Sequence, residues 1–157
     1  MTVNMILDHL FIVLAAICIA IVVGLFLGVL SYLSPAARKV ILNIADLLQT
    51  IPSLAMLGLI MIVIGAGKQT VIIGLSLYSL LPIIRNTNLG LTEVSPAIKE
   101  AAMGCGMTKL QSLFQVELPI AFPVVFTGIR IAMVNSISTA VFATFVGGGG
   151  IGSVIYR

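Results

Sequence analysis

Glu100-Ala101-Ala102-Met103-Gly104-Cys105-Gly106, continued through Lys109 to Val116-Glu117-Leu118-Pro119, is a polar island in a chain that is otherwise mostly apolar. On each side the sequence returns to runs long enough to cross a bilayer. The local grammar predicts helix, glycine turn, helix. Ser95-Pro96 starts the first helix, with Ser able to accept from the free N–H groups and Pro suited to the first helical position. Ala97 to Met103 are good helix formers. Gly104 and Gly106 end that helix, because Gly tolerates the positive φ of a sharp reversal. Thr108-x-x-Gln111 is a capping box that starts a second short helix. Leu118-Pro119 marks the start of the next long one.

The chain has 157 residues, of which 60% are hydrophobic and only 8% charged. Soluble domains carry about a quarter charged residues, and the mean hydropathy of +1.24 points the same way. The expected fold is all-α and polytopic, with about four membrane spans. The net charge of +3 comes from scattered basic residues, so no nucleic-acid partner is expected. Cys18 lies in an apolar run and Cys105 in the island, and both read as free thiols. Met1 to His9 lacks Lys and Arg, and the apolar run after it is too long for the core of a cleaved signal, so the first span is expected to stay.

Leu10 to Leu30 is long enough to cross a core of about 30 Å. Ala16, Ala20, Gly24 and Gly28 recur every four residues on one face, a stripe that admits a close helix neighbour. Ser31 to Lys39 reads as a short loop and Val40 to Ile64 as a second span containing Pro52. Asn43, Asp46, Gln49 or Thr50, and Ser53 share one face of that span. The face is expected to meet a cavity or an interface; Asp46 either belongs to it or sits at headgroup level. After a turn at 65–69, a short third span is predicted over Thr70 to Ile84 with Tyr78 and Pro82. A long polar stretch follows from Arg85, and a fourth span runs from Pro119 to Val146, interrupted by Arg130 and Asn135. An N-terminus-outside orientation puts Arg38, Lys39, Arg85, Lys99 and Lys109 inside against Lys68 and Arg157 outside, in the positive-inside sense.

Arg130 is costly in mid-span, by about 2.5–3.5 kcal/mol, unless paired or wet. Either it pairs with Asp46, or it snorkels or bonds carbonyls. Gly147-x-Gly149-x-x-Gly152 formally matches a dinucleotide fingerprint but follows a membrane span instead of a strand, and reads as a flexible joint at the outer mouth. No phosphate-binding G-x-x-x-x-G-K-[ST] occurs. With one histidine, no nucleophile–base pair and no metal cluster in the sequence, no catalytic or metal site is predicted.

The spaced pattern Glu100, Ala101, Ala102, Gly106, Val116, Leu118, Pro119 resembles the EAA motif of ABC-importer permeases, with Val116 where the family commonly has Ile. Gln49-Thr50-Ile51-Pro52-Ser53-Leu54, Leu81-Pro82-Ile83-Ile84-Arg85-Asn86-Thr87, Gly128-Ile129-Arg130 and the run Gly147 to Gly152 look like the branch importing glycine betaine, carnitine or choline. The resemblance implies a type I permease in a bacterial plasma membrane. ATP would be hydrolysed on a separate cytosolic subunit, so no cofactor is expected on this chain. The expected partners are that ATP-binding subunit, an extracytoplasmic binding protein or domain, a second permease copy (the same or related) and membrane lipid. Residues 1–157 then form one permease domain with a coupling segment at about 85–118, lacking the family's C-terminal span. The ATPase-coupling residues would be Lys99, Glu100, Ala101, Ala102, Gly104, Gly106, Leu118 and Pro119. The translocation path would use Asp46, Gln49, Thr50, Ser53, Tyr78, Arg130 and Asn135. The alternatives are a permease for another small solute such as an amino acid, or a channel or secondary carrier unrelated to ABC transporters. Three tyrosines and no tryptophan offer one copy no evident aromatic cage for a quaternary ammonium. High-affinity capture is therefore expected outside the permease.

Overall fold

The computed structural model describes residues 3–155. The chain forms α1 (Val3–Leu33), α2 (Pro35–Thr50), α3 (Ser53–Ile64), α4 (Lys68–Glu93), α5 (Pro96–Gly104) and α6 (Lys109–Ser112). A π turn (Leu113–Glu117) joins α6 to α7 (Leu118–Thr139), which tightens into a 3-10 turn (Ala140–Val146) before α8 (Gly152–Ile155). Among the described residues, three stretches are long and apolar enough to cross a membrane: α1, α4 and the run Lys109–Val146. Helices α2 and α3 make a fourth crossing if counted as one span, bent by 99°.

Helix α4 is the centre of the bundle and packs on α1, α7, α3 and α2. The small-residue stripe of α1 is the device that brings α1 against it. Ala16, Ala20, Gly24 and Gly28 are all buried; Gly24 lies on Ile83 and Gly28 on Thr87. Lipid gives helices no hydrophobic reason to associate, so close backbone approach and polar bonds must supply it. Asn88 donates to the Ser31 hydroxyl at 2.9 Å, Ser31 donates to the Gly28 carbonyl at 2.7 Å, and Ser79 and Ser136 bond across α4 and α7 at 2.7 Å. One apolar core gathers Ile12, Ile17, Leu57, Leu75 and Ile83 near the Lys68 end. A second, with Leu91, Leu113 and Val125, lies near the Lys99 end. Outward faces remain apolar, with Ile62 and Val63 of α3 79% and 84% exposed, as a lipid-facing surface requires.

Several expected boundaries move. Ser31 to Lys39 is not a loop: only Ser34 interrupts the helices, its hydroxyl capping Ala37 N–H at 3.3 Å with Pro35 in the first turn. The second span is broken at Ile51-Pro52, because Pro at that point lacks the N–H that would continue the ladder. The third span reaches Glu93, since α4 tolerates Pro82 in its interior. Arg85 is therefore part of a helix, about 12 Å from its end at 1.5 Å per residue, and the polar segment begins later than residue 85. The glycine run is a packed reversal in place of a flexible joint: Gly148 donates to the Ala143 carbonyl at 2.8 Å, and Gly150 lies against His9. Tyr156 and Arg157 lie outside the described residues.

Candidate functional site

Two regions concentrate polar chemistry, one at the basic end of the bundle and one within it. At the basic end, α5 and α6 form the predicted hairpin. Pro96 occupies the first turn of α5, but the Ser95 side chain makes no cap bond. Gly106 has φ 83°, the left-handed conformation that ends the helix after Gly104. Thr108 and Gln111 form the full capping box.

The hairpin shows two faces. Glu100, Ala101, Met103, Gly104, Cys105 and Gly106 are exposed, while Ala102 is buried. Lys99 turns inward. Its Nζ donates to the Tyr32 hydroxyl at 2.9 Å and to the Leu91 carbonyl at 3.0 Å, and lies 5.0 Å from the Tyr32 ring centroid. Tyr32 in turn donates to Glu117 Oε2 at 2.6 Å, Ser112 donates to Oε1 at 2.9 Å, and Lys99 stands 3.8 Å from the same carboxylate. Lys99 thus faces the bundle, contrary to its expected place beside Glu100 on the contact face. Leu118 and Pro119 separate from that face too, lining an apolar cleft with Leu25 and Phe122.

Glu117 is the residue that motif reading passed over. It is 6% exposed, yet both its oxygens are satisfied. The π turn is the local reason. In an α-helix, residues five apart diverge by about 140°, at 3.6 residues per turn. The wider i→i−5 register, seen in the Leu118 N–H bond to the Leu113 carbonyl, brings Ser112 and Glu117 onto one face. The signal was present: a lone carboxylate between Leu113 and Ile120, open to the same rule that singled out Asp46 and Arg130.

Within the bundle, the α2–α3 break opens a cleft of about 380 Å³ lined by Gln49, Thr50, Ile51, Pro52, Ser53, Tyr78, Asn135, Ser138 and Thr139. It collects five of the predicted path residues. Its floor follows from a proline. Pro82 cannot donate to the carbonyl of Tyr78 four residues earlier; Gln49 Nε2 does so instead, at 3.0 Å. Gln49 is thereby a brace between α2 and α4. The Tyr78 hydroxyl is buried without a hydrogen-bond partner among the described residues. Asp46 and Arg130 lie apart. Asp46 pairs with Arg85 at 2.6 Å, both side chains about half exposed, which overturns an Asp46–Arg130 pair. Exposed Arg130 lines a neighbouring cleft of about 340 Å³ with Thr127, Ile131, Val134 and Asn135; Asn135 is common to both clefts.

Residues 8–157 match the family model described as binding-protein-dependent transport system inner membrane component. The chain belongs to this family. It is 45% identical over 138 residues to the glycine betaine/carnitine/choline transport system permease protein OpuCD of Bacillus subtilis, covering 88% of this chain and 60% of that protein. It is 47% identical over 117 residues to the carnitine transport permease OpuCD of Listeria monocytogenes, covering 74% of this chain and 52% of the relative. The chain therefore spans between half and three-fifths of these relatives. Among solved structures, the inward-facing MetNI methionine ABC transporter superposes with a TM-score of 0.86 at 23% identity, covering 98% of this chain and 78% of that one. An amino acid ABC transporter superposes with a TM-score of 0.78 at 20% identity, covering 99% and 79%. The fold is the all-helical, multi-pass fold of ABC-importer permeases, and membership of a family of transport-system membrane components leaves the channel and secondary-carrier readings without support.

Proposed function

We propose that this permease carries a small quaternary ammonium compatible solute (glycine betaine, carnitine or choline) across a bacterial plasma membrane, driven by ATP hydrolysis on a separate cytosolic subunit. The observation that carries the reading is the 45% identity over 88% of the chain to a permease named for those three solutes. The exposed face of α5, with Glu100, Ala101 and the Gly106 turn, is the surface for the ATP-binding subunit. Two permease copies, identical or related, would enclose the solute between them by alternating access. Residues 1–157 act as one permease domain, the hairpin being its coupling segment.

The cleft chemistry suits a zwitterion such as glycine betaine or carnitine; choline would use only its cation-facing half. The C-terminal end of α2 and the N-terminal end of α3 meet at Ile51-Pro52. The first carries partial negative charge and the second partial positive charge, and broken helices present such ends to solutes in transporters. Thr50, Ser53, Tyr78 and Asn135 line the opening, with Gln49 as its brace. An amino acid carries the same two charges and is the second reading. It differs in having a primary ammonium that needs three acceptors, whereas a trimethylammonium needs apolar and aromatic surface.

Proteoliposomes holding the permease with its co-expressed ATPase and binding protein test this. ATP-dependent uptake of labelled glycine betaine should be competed by carnitine or choline and untouched by methionine. Competition by methionine with no effect of carnitine and choline would give the amino-acid reading the site.

A further inference from the structure

We propose that Glu117, Tyr32 and Lys99 form a latch that makes the hairpin and three membrane helices move as one body when the ATPase subunit pushes on α5. The proposal rests on α5 being the ATPase contact, and it assigns roles to Tyr32 and Glu117, which lie off the contact face, and a new one to Lys99. The argument is mechanical. Helix α5 has nine residues and ends in turns on both sides. A short helix joined by flexible peptide would tilt under load without moving the bundle. Load passes through whatever ties it to longer elements, here the packing of Val94 and Ala102 and the directional bonds of Lys99.

Those bonds converge on one point. Lys99 extends from α5 to the carbonyl of Leu91 on α4 and to the hydroxyl of Tyr32 on α1. Tyr32 passes the link to Glu117, in the π turn that feeds α7. Ser112 ties α6 to the same carboxylate. Each of these four hydrogen bonds has Lys99 or Glu117 as a charged member, which strengthens it, and the Tyr32–Glu117 bond at 2.6 Å is the shortest. The site is largely buried, with Lys99 and Glu117 side chains 26% and 8% exposed; water competes poorly there. A π turn is one residue wider than its neighbours and is a place where a helix can change register. Pinning Glu117 there fixes the register from which α7 starts. Loss of the latch should leave a protein that inserts and binds its ATPase, yet slips.

The test uses the assembled transporter in proteoliposomes and reads solute imported per ATP hydrolysed, together with the yield of assembled complex. Tyr32→Phe removes one hydroxyl and keeps the ring; Glu117→Gln removes the charge and keeps the shape. Each should lower import per ATP at least fivefold with complex yield within twofold of wild type, and the double variant should be no worse than the worse single one. An unchanged ratio in both single variants overturns the latch, as does a fall in yield alone, which is what a purely structural role would produce.

A second measurement stands without the ATPase. Spin labels at Ile98 on α5 and Val22 on α1, both exposed, in a background with Cys18 and Cys105 replaced by Ser, should give a narrow distance distribution that Tyr32→Phe broadens. An unbroadened distribution overturns the latch whatever the transport assay gives. Failure of the wild type to bind an ATPase at all would instead remove the coupling reading of α5, and the label distances would still decide whether the latch exists.

Discussion

Gly28 has no room for a methyl group. A Cβ built there would stand 2.5 Å from Thr87 Cβ, and at Gly24 2.8 Å from Ile83 Cγ2, whereas at Gly58 it would meet nothing within 4 Å. Gly28→Ala should therefore destabilise the bundle by about 1–3 kcal/mol, the usual cost of overpacking. Gly58→Ala should be neutral, and thermal unfolding in detergent compares the two. Equal midpoints would mean that α1 and α4 do not approach as described. Gly106 is a different case: nothing crowds a Cβ there, but φ is +83°. Its requirement is purely conformational. Gly106→Val should weaken ATPase association and ATP-driven uptake, while Gly106→Asn, tolerated in the left-handed region, should retain most of both. If Asn fails as badly as Val, the backbone argument is wrong.

At the scale of elements, one Ser-Pro helix start was read from the sequence and its twin was missed inside a stretch taken for a loop. Ser95-Pro96 opens α5, and Ser34-Pro35 opens α2 with a cap bond that Ser95 lacks. The π turn and the α2–α3 break were not legible as geometry, although Val116 and Pro52 were singled out. Pro82 explains part of that. Its missing N–H frees a carbonyl, and only the packed structure shows Gln49 from another helix taking the vacancy. The pairing makes a prediction. Gln49→Leu removes the bond to the Tyr78 carbonyl, which lies at the exposed cleft, and should cost about 0.5–1.5 kcal/mol. In a Pro82→Ala background the helix satisfies that carbonyl itself, so the same change should cost markedly less. Additive effects in the double variant would refute the brace. Asp46 and Arg85 offer a further check by charge exchange. Asp46→Arg and Arg85→Asp should each impair the bundle, and the double exchange should recover part of the loss.

For the whole molecule, charge and contacts agree on one axis. Asp8 and Lys68 pair at 2.6 Å at one end, and Tyr32, Lys99 and Glu117 gather at the other. Single cysteines at Ser34 and Ser95 should react with membrane-impermeant thiol reagents only from the cytosol, and one at Gln69 only from outside. Reversed labelling would move α5 away from any cytosolic ATPase. The inner cleft presents a single aromatic ring, Tyr78, which is a poor cage for a quaternary ammonium. Calorimetry of the permease without a binding protein should accordingly show no tight binding of glycine betaine, carnitine or choline. Micromolar binding would place selectivity in the membrane.

Composition and apolar run length by themselves determined that this chain is an all-helical membrane protein, because a bilayer accepts little else. The small-residue stripe, the capping box and the glycine turn were equally readable, since each is a local rule of backbone geometry. Five of the seven residues expected on a path, Gln49, Thr50, Ser53, Tyr78 and Asn135, line one cleft. Partnership was beyond the sequence. Asp46 took Arg85 and left Arg130, and Lys99 turned from the contact face to Tyr32 and Glu117. Those choices depend on which helices lie side by side and at what register, and a charged side chain goes to whichever partner that packing brings within reach.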